Sequence, residues 1–428
     1  MLGPMSEALQ LHRATLDNGM RVVVNPDTTS PGVAVNMWYR VGSADEEPGH
    51  FGFAHLFEHL MFQGSRNVAE GEHFARLMAE GARLNATTWF DRTNYFETVP
   101  TGALELALWM EADRHGHLLD AVNQANLDNQ RDVVKEERRQ RYDNRPYGDA
   151  LERLYAAVFP EGHPYHHSTI GSMADLEAAS LADVHAFFTE HYGPNNTVLT
   201  LVGDVTADDG FAAVERYFGD LPASAAPRRG PVEPLPPLEA PVRVDVDDDV
   251  PTHRLYLAWR LPVAHTPEFW AAELAFDLLA GLATSRLYRR LVRREQVANS
   301  VSRSAFGLVD GVSLGLLVVD VAEDADPDAV EREVLEEVAR LGEELPTEVE
   351  METLHHETER WWLSAMAGQE ERADTISQYA LLHDDPQIVN TFVDRTRAVT
   401  PEQIRDVSRA WLRPESRAVV AYRPRKES

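Results

Sequence analysis

His55 and His59 stand four residues apart in the segment Phe51-Gly52-Phe53-Ala54-His55-Leu56-Phe57-Glu58-His59-Leu60-Met61-Phe62. On a helix that spacing puts both imidazoles on one face, where two nitrogens can converge on a single metal ion. Glu58, three residues after His55, points near the same face and can reach a water at the metal without being a ligand. That is the place of a general base. The order HxxEH is the inverse of the commoner HExxH. With 17 histidines and an acid-rich chain, such a string arises by chance on the order of once in ten to twenty sequences. On the motif alone, two partly buried helix histidines paired with nearby acids remain the alternative. The chain has no cysteine, so a transition metal must be held by His, Asp or Glu. Zinc bound by two histidines needs a third protein group and a position left open for water, and the adjacent Glu136 and Glu137 both offer a carboxylate.

The elements that must position these residues read as a mixed α+β chain. Asn18-Gly19 is a hairpin signal leading into Arg21–Val24, and the apolar run Val33–Tyr39 follows as a strand. A helix is predicted from about Phe53 to Phe62, then two strands within Arg83–Val99. Helical periodicity runs from Leu104 to about Tyr142 and through Asp149–Phe159, and Thr197–Val202 is a strand before a helix reaching Phe218. Between Pro222 and Pro241 the chain is crowded with Pro, Ala, Arg and Glu and lacks a period, as an extended linker does. This predicts a first domain at 1–222, a linker at 223–241 and a second domain at 242–428. The second half repeats the order of the first: strand Arg254–Trp259, helices Phe269–Leu279 and Ser285–Arg294, strand Val312–Val321, long helices and a last strand at Arg417–Tyr422. A tandem duplication accounts for this. In the second half the first helix carries Trp270-Ala271-Ala272-Glu273-Leu274-Ala275-Phe276, with no ligand pair.

Length and composition bound the rest. A chain of 428 residues, 43% hydrophobic and 26% charged, suits two globular domains with real cores. A formal charge of −30 disfavours nucleic acid, whose binding rests on basic surface. The amino terminus lacks a basic start followed by an apolar run, and no stretch approaches a membrane span. The expectation is a cytoplasmic protein with no membrane partner.

Several segments, taken in order, carry a resemblance: His55–Ser65 (HLFEHLMFQGS), Gly81–Pro100 (GARLNATTWFDRTNYFETVP), Gln130–Arg139 (QRDVVKEERR), Gly162–Gly171 (GHPYHHSTIG), Asn195–Val205 (NNTVLTLVGDV) and Ser285–Gln296 (SRLYRRLVRREQ). The chain resembles the pitrilysin/insulinase family of HxxEH zinc peptidases, the inverzincins, in the half-length two-domain form that includes the mitochondrial processing peptidases and bacterial heterodimeric homologues. The resemblance implies two homologous domains, each a mostly antiparallel sheet covered by helices, with one Zn²⁺ held by His55, His59 and Glu137 and with Glu58 as base. Glu137 is favoured over Glu136 because the family carries an accessory acid seven residues before its ligand, the place of Gln130 here. Leu127, Gln130, Val134 and Glu137 also share one helical stripe. Gln130 departs from the usual carboxylate. The strand around Leu84–Thr87 is implied to be an edge on which an extended peptide adds, with Asn85 in contact with substrate. The plain alternative for Asn85 is a strand-end polar residue satisfied by backbone.

The implied activity is zinc endopeptidase hydrolysis of flexible or unfolded peptides. Family members that enclose substrate need two such two-domain halves, and the half opposite the zinc supplies an Arg and, seven residues on, a Tyr. Here those positions are Val292 and Asn299. A heterodimer with a zinc-free homologous subunit is therefore expected, a homodimer being the alternative. The rival function is a noncatalytic scaffold or assembly subunit of the same family. His163, His166 and His167 are expected to anchor a loop, since Pro164 interrupts any helical spacing. Trp361-Trp362 are expected in the core or an interface.

Overall fold

The computed structural model describes residues 8–225 and 229–425; the outermost residues of the two expected domains and residues 226–228 of the expected linker lie outside these ranges. Strands β1 (His12–Thr15), β2 (Arg21–Pro26), β3 (Gly32–Tyr39), β4 (Arg83–Thr88), β5 (Thr93–Pro100) and β6 (Thr197–Gly203) form one sheet in the order β1-β2-β6-β3-β5-β4. Strands β7 (Val242–Asp248), β8 (Arg254–Leu261), β9 (Ala298–Phe306), β10 (Ser313–Val321) and β11 (Arg417–Pro424) form a second, in the order β7-β11-β8-β10-β9. Neighbouring strands run antiparallel except β2 with β6 and β7 with β11, which are parallel. Apart from β1, the two sheets thus repeat one topology, parallel pair included. β6 is buried along its whole length, which is why Thr197–Gly203 reads as a continuous β-branched and apolar run, not an alternating one.

Local chain signals set the elements. Gly19 takes φ 88° in the turn that closes β1 on β2. The long helical stretch after Leu104 is two helices, Leu104–His117 and Gln124–Arg138, followed by a wider five-residue turn at Arg139–Asp143. The break falls at the short turn Leu118–Asp120.

The cores do not coincide with the contiguous blocks 1–222 and 242–428. One compact unit gathers the chain up to Glu136 with residues 169–229 and 361–392; the other gathers 137–168, 230–360 and 393 onward. In the first unit the helix Gln369–Leu382, from the far half of the sequence, packs on β3 and β6. Its Asp374 carboxylate accepts bonds from Asn36 Nδ2 (3.1 Å), Trp38 Nε1 (2.9 Å) and Asn94 Nδ2 (2.9 Å). In the second unit the helix Ala150–Val158 packs on β7, β8 and β11, and Arg260 Nε donates to the Val158 carbonyl at 2.9 Å. Helical periodicity tells which face of a helix is apolar, but not which sheet it will cover.

The core of the first unit holds a buried ionic cluster. Arg114 donates to both oxygens of Glu111, at 3.0 and 2.5 Å. Its guanidinium also lies 4.8 and 4.6 Å from the ring centres of Phe62 and Tyr95. Burial would raise the Glu111 carboxyl, but Arg114 and His73 outweigh it and hold it at about 2. Burial and the neighbouring Glu111 charge push the Glu97 carboxyl well above its ordinary range.

Candidate metal centre

The helix Phe53–Leu60 carries the HxxEH residues. A helix this short is marginal by itself, and its start is fixed from outside. The Glu46 carboxylate accepts the Gly52 and Ala54 N–H groups, each at 2.8 Å, which satisfies donors left open at a helix start and sets a negative charge at the positive end. Phe51 N–H donates to Asp175 Oδ2 at 3.1 Å, and Ser172 N–H donates to the Phe51 carbonyl at 3.0 Å. Gly171 crosses against Gly52 so closely that a Cβ on it would lie 2.2 Å from Gly52 Cα. Phe53, Leu56, Phe57 and Leu60 are buried; Phe57 stacks on Phe187 at 5.1 Å, and Tyr95 Oη donates to the Phe57 carbonyl at 3.2 Å. The apolar face fixes the helix, and the imidazoles of His55 and His59 come together with ring centres 4.9 Å apart and planes at 82°.

The helix Gln124–Arg138 is anchored along its buried row of Leu127, Gln130 and Val134. Arg131 donates to the carbonyls of Leu176 (2.7 Å) and Ala179 (2.8 Å), and Lys135 pairs with Glu177 at 2.7 Å. Glu137 continues this row, and the boundary between the compact units falls inside the helix, just before it. One ligand atom from each of His55, His59 and Glu137 lies within 4.8 Å of the other two, and they form the one such group among the described residues. Glu136 is exposed and outside the group. Two imidazoles and one carboxylate are a donor set suited to zinc with a position left open. Arg141, one turn beyond Glu137 and 70% exposed, pairs with Glu137 Oε1 at 2.6 Å.

Glu58 is half-buried, and Thr88 Oγ1 donates to its Oε2 at 2.6 Å. Thr88 ends β4, the edge strand of the first sheet. Asn85 lies exposed on the same strand, and its Oδ1 accepts the Ala86 N–H at 2.9 Å. Strand alternation puts Asn85 on the face opposite Thr88.

His163 and His166 behave as packing groups. His163 stacks on Phe159 at 5.3 Å and accepts the Tyr165 N–H on Nδ1 at 3.2 Å; His166 Nδ1 lies 2.8 Å from the Phe159 carbonyl. Trp362 is buried and stacks on Phe392 at 4.2 Å, while Trp361 is exposed. Where the first unit has its histidine helix, the second has Pro267–Ala280, whose Asp277 is bonded by Arg303 of β9; a guanidinium neutralises the carboxylate there. Sequence reading missed Glu46, Thr88 and Arg141. Glu46 and Thr88 reach the motif helix from outside it, beyond any local pattern, whereas Arg141 stands four residues after Glu137, and that i, i+4 spacing is the signal that could have found it. Gly171 lay inside a matched segment without a role.

Comparison with known proteins adds a separate line of evidence. A family profile described as Insulinase (Peptidase family M16) matches residues 21–171, and one described as Peptidase M16 inactive domain matches residues 178–356. The zinc protease PqqE of Helicobacter pylori is 28% identical over 374 residues, 86% of this chain and 83% of that one. An uncharacterized zinc protease of Mycobacterium leprae is 31% identical over 337 residues, covering 77% of this chain and 74% of its own. A solved protease structure from Helicobacter pylori matches with a TM-score of 0.91 at 25% identity, over 97% of this chain and 100% of that one. With both halves matched in order and a relative 31% identical over 77% of the chain, the chain belongs to peptidase family M16, the insulinase family.

Proposed function

We propose that the chain is a zinc endopeptidase acting on flexible or unfolded peptides. The observation that carries this reading is the convergence of His55 and His59, on the helix that also bears Glu58, with Glu137 of the helix Gln124–Arg138, all within 4.8 Å. Zinc, when bound by these three residues, would acidify a water and polarise a peptide carbonyl. Glu58 takes the proton from the attacking water and returns it to the leaving nitrogen. The exposed edge of β4 offers backbone donors and acceptors to an extended peptide, which favours flexible substrates and fixes little side-chain specificity. Asn85 stands on that edge as a candidate substrate contact; its bond to Ala86 N–H would have to yield.

Since Val292 and Asn299 stand where relatives are expected to carry an Arg and a Tyr, we propose as partner a homologous zinc-free subunit supplying both. The rival reading, a scaffold subunit, is disfavoured by a donor set and base that a scaffold has no need to keep. Among the described residues no helix is long and apolar enough to cross a membrane.

The test incubates the zinc-loaded chain with a mixture of unstructured peptides, using Glu58→Gln as control and mass spectrometry as readout. The expected result is cleavage by wild type and none by a variant that still binds one zinc. Equal cleavage by both would sink the assignment of Glu58. Size-exclusion mass with a co-purified related chain checks the partner.

A further inference from the structure

Resting on the peptidase reading, we propose that Thr88 is a positioning residue for the reaction, its hydroxyl fixing the carboxylate of Glu58. Thr88 Oγ1 lies 2.6 Å from Glu58 Oε2. An ionised carboxylate can only accept, so the hydroxyl is the donor. A bond at this length to a charged acceptor belongs to the strong class.

A glutamate has three side-chain torsions, and Glu58 sits half-buried on a helix that owes its place to packing and to Glu46. Holding one of its oxygens fixes the plane of the carboxylate and so the place of the other oxygen. A base must meet its proton within hydrogen-bond reach, where small misplacements are costly.

Thr88 is well suited to the task. Its β-branched side chain is stiff about χ1. It closes β4 opposite Thr93, which is buried and donates to the Val41 carbonyl at 2.9 Å. The Glu58 carboxylate is the partner of the Thr88 hydroxyl. The anchor also belongs to the edge strand on which substrate would add, so substrate seated there meets a base whose position that same strand sets. Strand propensity does not explain a threonine here, because valine would serve the strand as well.

The experiment compares zinc-loaded Thr88→Val and Thr88→Ser with wild type on one flexible peptide. Zinc content and unfolding temperature are measured on each sample. Valine should lower kcat about ten- to hundredfold, as loss of one hydrogen bond to a charged group implies. KM should stay within about twofold, with zinc content and unfolding temperature unchanged. Serine, which keeps the hydroxyl, should restore most of kcat. Wild-type kcat in the valine variant, a loss confined to KM or to zinc content, or a serine variant as impaired as valine would overturn the proposal. A crystal structure of zinc-loaded Thr88→Val gives a readout that does not need turnover: the Glu58 carboxylate should leave its wild-type position, and an unmoved carboxylate refutes the role. If wild type cleaves no peptide even together with its co-purified partner, the peptidase reading fails while that structure still decides on Thr88.

Discussion

Replacing Gly171 by alanine tests how the histidine helix is held. Gly171 has φ 68°, and an added Cβ would lie 2.2 Å from Gly52 Cα and N and 2.3 Å from the Phe51 carbonyl oxygen. Carbon atoms rest about 3.5–4.0 Å apart, so the backbone at Gly52 must retreat by more than about 1 Å. It is tied there by its N–H bond to Glu46, and His55 lies only three residues further on. A left-handed alanine costs about 1–2 kcal/mol and forced overpacking about 1–3 kcal/mol. The sum, about 2–5 kcal/mol, lowers the unfolding temperature of a domain of this size by about 4 to 20 °C. The matched control is Gly162→Ala: Gly162 also has a positive φ, 82°, but nothing lies within 4 Å of its would-be Cβ, so only the conformational cost applies. Calorimetry in chelator gives the stability difference, and competition with a chelator of known affinity gives zinc binding, which should weaken at least about tenfold. If Gly171→Ala matches Gly162→Ala in both assays, the close approach does not hold the motif helix in place.

The buried ionic cluster shifts two glutamates in opposite directions. Glu111→Gln strands the Arg114 charge in the core and should cost about 3–5 kcal/mol in urea unfolding, whereas Glu97→Gln, at a carboxyl that burial and Glu111 push well above its ordinary range, should cost less; similar losses would contradict that difference. Burial drives His115 from 6.5 down to about 3, so the unfolded chain binds more protons between those values and stability falls as pH drops through that window. The loss approaches about 5 kcal/mol by pH 3; a stability profile flat from pH 7 to 5 would refute it. His383, brought down to about 4 by burial and Arg40, acts in the same direction. Removing the Arg141 side chain frees Glu137 Oε1 from its ion pair, so Arg141→Ala should bind zinc several-fold more tightly in chelator competition, and weaker binding would show that the arginine supports the site.

What could be read from the sequence was what repeats locally. The i, i+4 histidines fell on one helix face; Glu137 was singled out by the family resemblance at Gln130, with the row Leu127, Gln130, Val134 in support, and Glu136 is exposed. The second half repeats the strand order because its hydrophobic runs recur in the same sequence. The parallel pairs β2–β6 and β7–β11 were out of reach, since they join strands distant in sequence. So was the burial of Arg114 among carboxyls, which reads in the sequence as an ordinary charged helix. Asn85 shows the limit of a matched motif: the strand is an edge, as expected, yet the side chain is occupied by its neighbour's N–H. Glu46 escaped notice because its carboxylate caps a helix that begins seven residues later, beyond the reach of local capping patterns.

The exchanged helices bear on how such a protein can be taken apart. Ending the chain at the linker would strip the first sheet of Gln369–Leu382 and leave Asn36, Trp38 and Asn94 without the carboxylate of Asp374. The remainder would lose Ala150–Val158 from its own sheet in the same stroke. Neither gene half is thus a self-sufficient module, although each carries a whole sheet. A minimal zinc-binding fragment would have to graft residues 361–392 onto the first half. A protease nick between Pro222 and Pro241, by contrast, severs one peptide bond and leaves every helix on its sheet, so the clipped protein should stay in one piece until denatured.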